Sequence, residues 1–210
     1  KIVLGTAADP DLLARLPRDR VIAALDARHG EVAVEGWTKP TGRTVLERIR
    51  ELRPYVGGFL VTFIEREGRL GGIDLEEVRP LVEAADGVRV TAAGGVTTVD
   101  EVAALDAMGV DAQVGMALYT GRMELADALL APLLVRDPEA LWPTVVCDER
   151  GAALGLAWSD RESVHEALRT RRGVYRSRRR GLWVKGETSG NGQDLLRIDL
   201  DCDRDALRFT

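Results

Sequence analysis

No apolar run of membrane-spanning length occurs in the chain, and no basic-then-apolar leader opens it, which excludes a transmembrane helix and favours a cytoplasmic enzyme over a secreted one. Only two cysteines are present, Cys147 and Cys202, in unrelated contexts, so no disulfide framework is expected and both read as thiols. Excess positive charge is lacking too: 29 Lys and Arg against 34 Asp and Glu leave a formal net charge of −5, which argues against general nucleic-acid binding. The chain starts at Lys1 without a methionine and stops at Thr210, as a fragment of a longer protein does. What is there suffices for a core: 210 residues, 45% apolar and 30% charged, can form one or two domains.

The first two thirds repeat one rhythm. "KIVLGTAA", "RVIAALDA", "GFLVTFI", "RVTAAGGV" and "AQVGMAL" are short apolar runs ending in small or polar residues. Helix-like stretches such as "TVLERIRELR", "DLEEVRPLVEAA" and "TVDEVAALDAMG" lie between most of them, the last capped by Thr98 or Asp100 and closed by Gly109. Such alternation predicts an α/β fold, a parallel sheet covered by helices, with functional residues at the C-terminal strand ends. Those ends carry Asp26, Thr62, the pair Gly94 and Gly95, and Gly115. Gly-rich turns that lead toward helices suit a phosphate, because small residues admit close approach while backbone N–H groups attract the anion. A tight turn accounts equally for one glycine pair, and a helix cap for a lone aspartate. Their order along successive strands carries the phosphate reading.

The rhythm breaks at "LLVRDPEALWP", where two prolines and several charges mark a junction. "TVVCD" and "ALGLAWS" then read as strands around the turn "ERGA", followed by the helical "DRESVHEALRTRRG", on which His165 is expected to be an ordinary surface histidine. Basic residues concentrate in "RTRRGVYRSRRRGLWVK". A solvated basic face explains such a run by itself; with Tyr175 and Trp183 flanking it and "KGETSG" following, a pocket for an aromatic, phosphorylated small molecule competes with that explanation.

"KIVLGTAA", "ALDARHGEVAVEGW", "EREGRLGGIDLEEVRPL", "AAGGVTTVDEVAAL" and "VGMALYTGRM" resemble the fourth to eighth strand units of the (β/α)8 isomerase of histidine biosynthesis, phosphoribosylformimino-AICAR ribotide isomerase. The resemblance covers roughly Lys1 to Leu134. It implies an Amadori rearrangement of a substrate with two phosphates, aminoaldose to aminoketose, by paired acid and base groups at the barrel mouth and without a cofactor. Asp26 then matches the catalytic or substrate-binding aspartate of the fifth strand and Thr62 the sixth-strand position that contacts substrate. Arg28 and Trp37 match the loop that covers the substrate, and Gly94, Gly95 and Gly115 the phosphate cradle. Two departures stand out. Phe63 occupies the position after the threonine, where the family usually has a carboxylate that several members use as a general acid. The first three strand units, with the first-strand aspartate, are absent from this stretch.

"LGLAWSDRESVHEAL", "GVYRSRRRGLWVKGETSGNGQ" and "DLDCDRDAL", from about Trp142 onward, are similar to phosphoribosyl-AMP cyclohydrolase, another histidine-biosynthesis family. The resemblance implies that water opens the six-membered ring of the adenine base of phosphoribosyl-AMP, on zinc and magnesium, in a homodimer whose zinc site is shared. The residue types suit this. The soft thiolate of Cys202 favours zinc, which lowers the pKa of a bound water, and the hard carboxylates of Asp201, Asp203 and Asp205 favour magnesium. If the segment is a strand, the three aspartates share one face and Cys202 points the other way. Lys185, Thr188 and Ser189 offer donors to phosphate or ribose, and Glu187 an acid–base or water-orienting group. The family's further zinc cysteines lie beyond the acidic cluster, outside this stretch.

The expected architecture is therefore a partial (β/α)8 barrel over residues 1–134, a junction over 135–141, and a small α+β cyclohydrolase domain over 142–210. Phosphoribosyl nucleotides are the expected ligands and a second copy the expected partner, with no nucleic acid and no membrane. The barrel segment is either an active isomerase or a silent structural or phosphate-binding regulatory module.

Overall fold

The apolar runs of the first 123 residues form parallel strands; the central ones are buried by their neighbours and by the helices that follow them, whereas Ile2 and Val3 of the first run are exposed. In the computed structural model, which describes residues 1–210, this first unit spans Lys1–Met123 and a second spans Glu124–Thr210. The first unit runs β1 (Ile2–Leu4), α1 (Pro10–Leu13), β2 (Val21–Arg28), β3 (Glu31–Val34), β4 (Lys39–Thr44), α2 (Val45–Leu52), β5 (Gly58–Phe63), α3 (Leu75–Ala85), β6 (Arg89–Ala93), α4 (Val99–Ala107), β7 (Val110–Gln113) and α5 (Met116–Tyr119). Strands β1, β2, β5, β6 and β7 pair in parallel in that order, as the alternating pattern requires of βα units. The antiparallel hairpin β3–β4, which the βα rhythm does not announce, pairs with Asp26–Arg28 at the end of β2.

Burial alternates along the central strands. Val21, Ala23, Leu25 and Ala27 of β2 and Phe59, Val61 and Phe63 of β5 are buried, in one cluster with Val45, Ile49 and Leu52 of α2 and Val78 and Leu81 of α3. Asp26 and Thr62 lie on the opposite, half-buried face. Helix starts follow local chemistry. Thr44 and Glu47 form a capping box on α2, and Thr98 and Glu101 form one on α4, so Thr98 rather than Asp100 is the cap. Gly109, at φ +72°, closes α4.

The second unit runs α6 (Leu125–Leu134), β8 (Trp142–Cys147), β9 (Ala153–Ser159), α7 (Arg161–Thr170), β10 (Val174–Ser177), β11 (Gly181–Val184), β12 (Ile198–Leu200) and β13 (Leu207–Phe209). One sheet has the order β12-β13-β8-β9, and β10–β11 is a separate hairpin. The core joins Ala126, Leu130 and Leu133 of α6 to Val164 and Ala167 of α7, with Trp142, Tyr175, Leu207 and Phe209. Helix α6 thus packs within the second unit, whereas the boundary expected from sequence falls at its far end, Leu134.

One local expectation is corrected. Asp201–Asp205 is not a strand: β12 stops at Leu200, and the aspartates form the turn to β13, with Arg204 in the left-handed region at φ +60°. Two backbone N–H groups inside the turn, those of Asp205 and Ala206, bond to the Asp201 carboxylate instead of to a neighbouring strand.

Candidate functional site

At the C-terminal ends of the parallel strands, Asp26 pairs in register with Thr62, Thr62 with Ala93, and Ala93 with Gln113. Register partners face the same way, so the Asp26 carboxylate and the Thr62 hydroxyl share the half-buried face. Phe63 is 5% exposed and belongs to the core on the other face. It packs against the helix layer, on the face opposite Asp26. Arg28 is exposed at the end of β2, and Trp37 sits at φ +69° in the β3–β4 turn, 39% exposed.

Gly94, Gly95 and Gly115 line one small cavity of about 50 Å³ together with Glu67, Thr97 and Gln113. Gly94 (φ +87°) and Gly95 (φ +97°) are required by the fold itself: a Cβ there would lie 2.5 Å from the Phe63 carbonyl oxygen and 2.6 Å from that of Gly72. Backbone packing against these two carbonyls therefore accounts for both glycines. An internal anion already uses part of the helix N-terminus. Glu101 accepts from the backbone N–H groups of Thr97 (2.7 Å), Thr98 (2.9 Å) and Ile73 (3.0 Å) and from the Thr97 hydroxyl (3.0 Å). Burial pushes its carboxyl up, but these donors outweigh it and hold the group below the usual carboxylate range. Glu101 was not singled out from sequence, although the Thr-x-x-Glu spacing of a capping box marks it.

In the second unit the acidic turn brings Asp201, Asp203 and Asp205 together, one carboxylate oxygen from each lying within 4.8 Å of the others. Burial raises the Asp201 carboxyl, but the Ala206 N–H and contacts to Asp203 and Asp205 win and lower it to about 2; the Asp203 charge pushes Asp205 up. Such mutual repulsion among hard oxygen donors is what a divalent cation such as magnesium relieves. Arg136 holds the turn by bonding the Asp203 (3.0 Å) and Arg204 (3.1 Å) carbonyls. Asp199, just before the turn, is engaged by Arg197 and Arg208 and stays outside the triplet. Cys202 is exposed and offers the turn's one sulfur, while Cys147 is buried in β8.

The "KGETSGNGQ" loop folds back on itself. Gly190 N–H bonds the Gly186 carbonyl at 2.8 Å, and a Cβ on Gly186 (φ +85°) would lie 2.2 Å from Gly192 N. Lys185 Nζ stands over the Trp183 ring at 5.4 Å, and Gln193 accepts from the Tyr175 hydroxyl, whose pKa burial pushes up to about 12. Glu187, Thr188 and Ser189 are exposed at the loop tip. Beside the loop, Trp158, Trp183 and the hairpin tip Ser177–Arg180 line a cleft of 860 Å³.

His165 differs from expectation. Its Nε2 lies 2.8 Å from Asp127 Oδ1 and its Nδ1 2.8 Å from Glu124 Oε2, and Asp127 also accepts a bidentate pair from Arg161 at 2.8 Å. The ring is a structural tie between α6 and α7. A helical plot of α7 alone cannot show it, since one carboxylate comes from α6 and the other from Glu124, the residue that precedes α6.

Fold and sites together define a partial parallel (β/α)8 barrel with a glycine-lined cavity at its strand ends, accompanied by a small α+β unit with a carboxylate triplet. The chain belongs to the histidine biosynthesis protein family, whose model matches residues 1–124, and residues 155–210 match the family model described as phosphoribosyl-AMP cyclohydrolase. A histidine biosynthesis trifunctional protein of Neurospora crassa is 42% identical over 138 residues, 66% of this chain and 14% of that protein. A histidine biosynthesis bifunctional protein of Schizosaccharomyces pombe is 50% identical over 88 residues, 42% of this chain and 21% of that protein. An imidazole-4-carboxamide isomerase of the phosphoribosyl series from Halobacterium salinarum is 43% identical over 140 residues, 62% of this chain and 57% of that protein. The chain therefore spans only part of each of these relatives.

Proposed function

We propose that the second unit carries the cyclohydrolase that opens the adenine ring of phosphoribosyl-AMP, and that the first is the C-terminal part of an isomerase acting on the product, both in histidine biosynthesis. The carboxylate triplet of Asp201, Asp203 and Asp205, in the same unit as "WVKGETSG" and ten residues beyond it, carries the reading. Its donor set fits magnesium. Cys202 supplies one soft ligand, so a tetrahedral zinc site takes its other donors from outside this turn, as a site shared between copies of a homodimer does. When bound, zinc supplies a water acidic enough to attack near neutral pH. This chain's residues do the rest: Lys185 meets anionic oxygens, Thr188 and Ser189 donate to ribose or phosphate, and Glu187 orients or deprotonates at the loop tip.

In the first unit, Asp26 moves the proton and Thr62 beside it orients the substrate, with phosphate held at Gly94, Gly95 and Gly115 and covered by Arg28 and Trp37. The relative from Halobacterium salinarum that is named an isomerase, 43% identical over 140 residues, favours activity over a silent module. The test is hydrolysis of phosphoribosyl-AMP by the longer protein with both metals. Cys202→Ser replaces a thiolate by a hydroxyl that stays protonated, so zinc content and hydrolysis should collapse together. Full activity and full zinc content in that variant would remove Cys202 as a ligand.

A further inference from the structure

We propose that the cleft at the tip of the β10–β11 hairpin is a nucleotide site in which Arg178, Arg179 and Arg180 take a phosphate monoester and Trp158 and Trp183 take the base, independently of metal. The proposal rests on the cyclohydrolase reading for its substrate class and assigns that substrate's two ends to residues. The cleft, at 860 Å³, has room for a whole nucleotide.

Charge decides which arginines are available. Arg176 is held by Asp160 and Glu162, with its guanidinium committed to both carboxylates. No carboxylate lies within ion-pair distance of Arg178, Arg179 or Arg180. Three consecutive unneutralised guanidiniums in a chain with net charge −5 repel one another, and an anion with several acceptor oxygens offsets that repulsion. The tip is also built to present them. Ser177 Oγ accepts from Arg179 N–H (3.3 Å) and Arg180 N–H (3.2 Å), and Gly181, at φ +75°, returns the chain into β11.

The aromatic wall is equally fixed. Arg178 lies 5.3 Å from the Trp158 ring centroid, so one of the three cations already borders an indole. Trp183 is braced by Tyr175, centroids 5.9 Å apart, and by Lys185 Nζ. Flat faces beside unpaired guanidiniums match a ligand that is a flat base at one end and a phosphate at the other. A merely solvated basic turn needs neither indole.

The experiment uses the 210-residue chain stripped of metal by a chelator, titrated with adenosine 5′-monophosphate, adenosine, ribose 5-phosphate and inorganic phosphate, and followed by calorimetry and tryptophan fluorescence. The monophosphate should bind more tightly than any of the other three. The triple variant Arg178→Ala, Arg179→Ala, Arg180→Ala should lose about tenfold or more in affinity for the monophosphate and for ribose 5-phosphate while leaving adenosine unchanged. Trp158→Leu should weaken the monophosphate and adenosine but not ribose 5-phosphate. All four substitutions sit on exposed or half-exposed positions, and unchanged thermal melting verifies the fold. Monophosphate binding that is indifferent to the triple variant, or no tighter than inorganic phosphate, overturns the site. In the longer protein, hydrolysis with unchanged KM in the triple variant likewise overturns the site while keeping the activity. Nucleotide binding with this residue dependence but no hydrolysis keeps the site and removes the activity.

Discussion

The two units hold their chemistry in opposite ways. In the first, Asp26, Thr62 and the glycine loops are set by strand register, so the reactive face is a property of the sheet. In the second, the acidic turn, the "KGETSGNGQ" loop and the arginine tip are all connections, each held by its own short-range bonds. A site built on register is hard to move and costly to distort, whereas a site built on turns can lose one function and keep its fold.

The largest expected effects are on catalysis and should separate cleanly. In the longer protein, Asp26→Asn should lower isomerase turnover by about 10²- to 10⁴-fold and spare ring opening. Asp203→Asn should do the reverse, weakening magnesium because the amide keeps an oxygen but loses the charge a hard cation needs, and leaving zinc content intact. Paired steady-state assays with metal analysis check both. A joint loss of both activities in either variant would break the contrast between the units.

Stability effects come next. Gly94→Ala places a Cβ against the Phe63 carbonyl at a left-handed φ, so it should destabilise the first unit by about 2 kcal/mol or more. Gly190→Ala in the second unit meets nothing within 4 Å and carries only the backbone strain, about 1 kcal/mol. Calorimetric melting of the two variants measures the difference. Asp127→Asn should cost the second unit about 1–2 kcal/mol, since Asp127 is 8% exposed and serves both Arg161 and His165, while the exposed Arg161 end is screened by solvent. Burial works against the Asp127 carboxyl less than Arg161 works for it, so its pKa is lowered and its contribution, present above the unfolded value, fades as acid titrates it.

How much was legible depends on the range of the interaction. The strands β1, β2, β5, β6 and β7 and the helices between them follow from apolar periodicity, and the strand-end positions of Asp26 and Thr62 follow from the strands. The facing of Phe63 follows from period-two alternation, yet its burial depends on α2 and α3 covering that face. Asp201, Asp203 and Asp205 were legible as a set of ligand types but not as a turn, because alternating spacing suits a strand and only the bonds from Asp205 and Ala206 to Asp201 decide otherwise. Glu101 had a local signal in its capping box. His165 had none, since Glu124 and Asp127, at the start of α6, meet it only after packing.

The smallest effect is a pH dependence confined to the acidic turn. Asp203 beside Asp205 raises the Asp205 carboxyl above its ordinary value, whereas Asp201 is lowered to about 2. On acidification from neutral pH, Asp205 therefore takes up a proton first, and that proton competes with the cation for the same oxygens. Magnesium affinity should begin to fall before Asp201 titrates. The folding contributions have opposite signs. A depressed Asp201 stabilises the fold above its unfolded pKa and loses that contribution as pH falls toward about 2; a raised Asp205 binds its proton more readily when folded, so mild acid relieves the metal-free turn. Magnesium titrations by calorimetry over a series of pH values from neutral downward, on the wild type and on Asp205→Asn, test this. The variant should bind more weakly at neutral pH and show a smaller fall in affinity on acidification. A pH dependence that persists in full without the Asp205 carboxyl would move the first protonation to another group and break the assignment within the triplet.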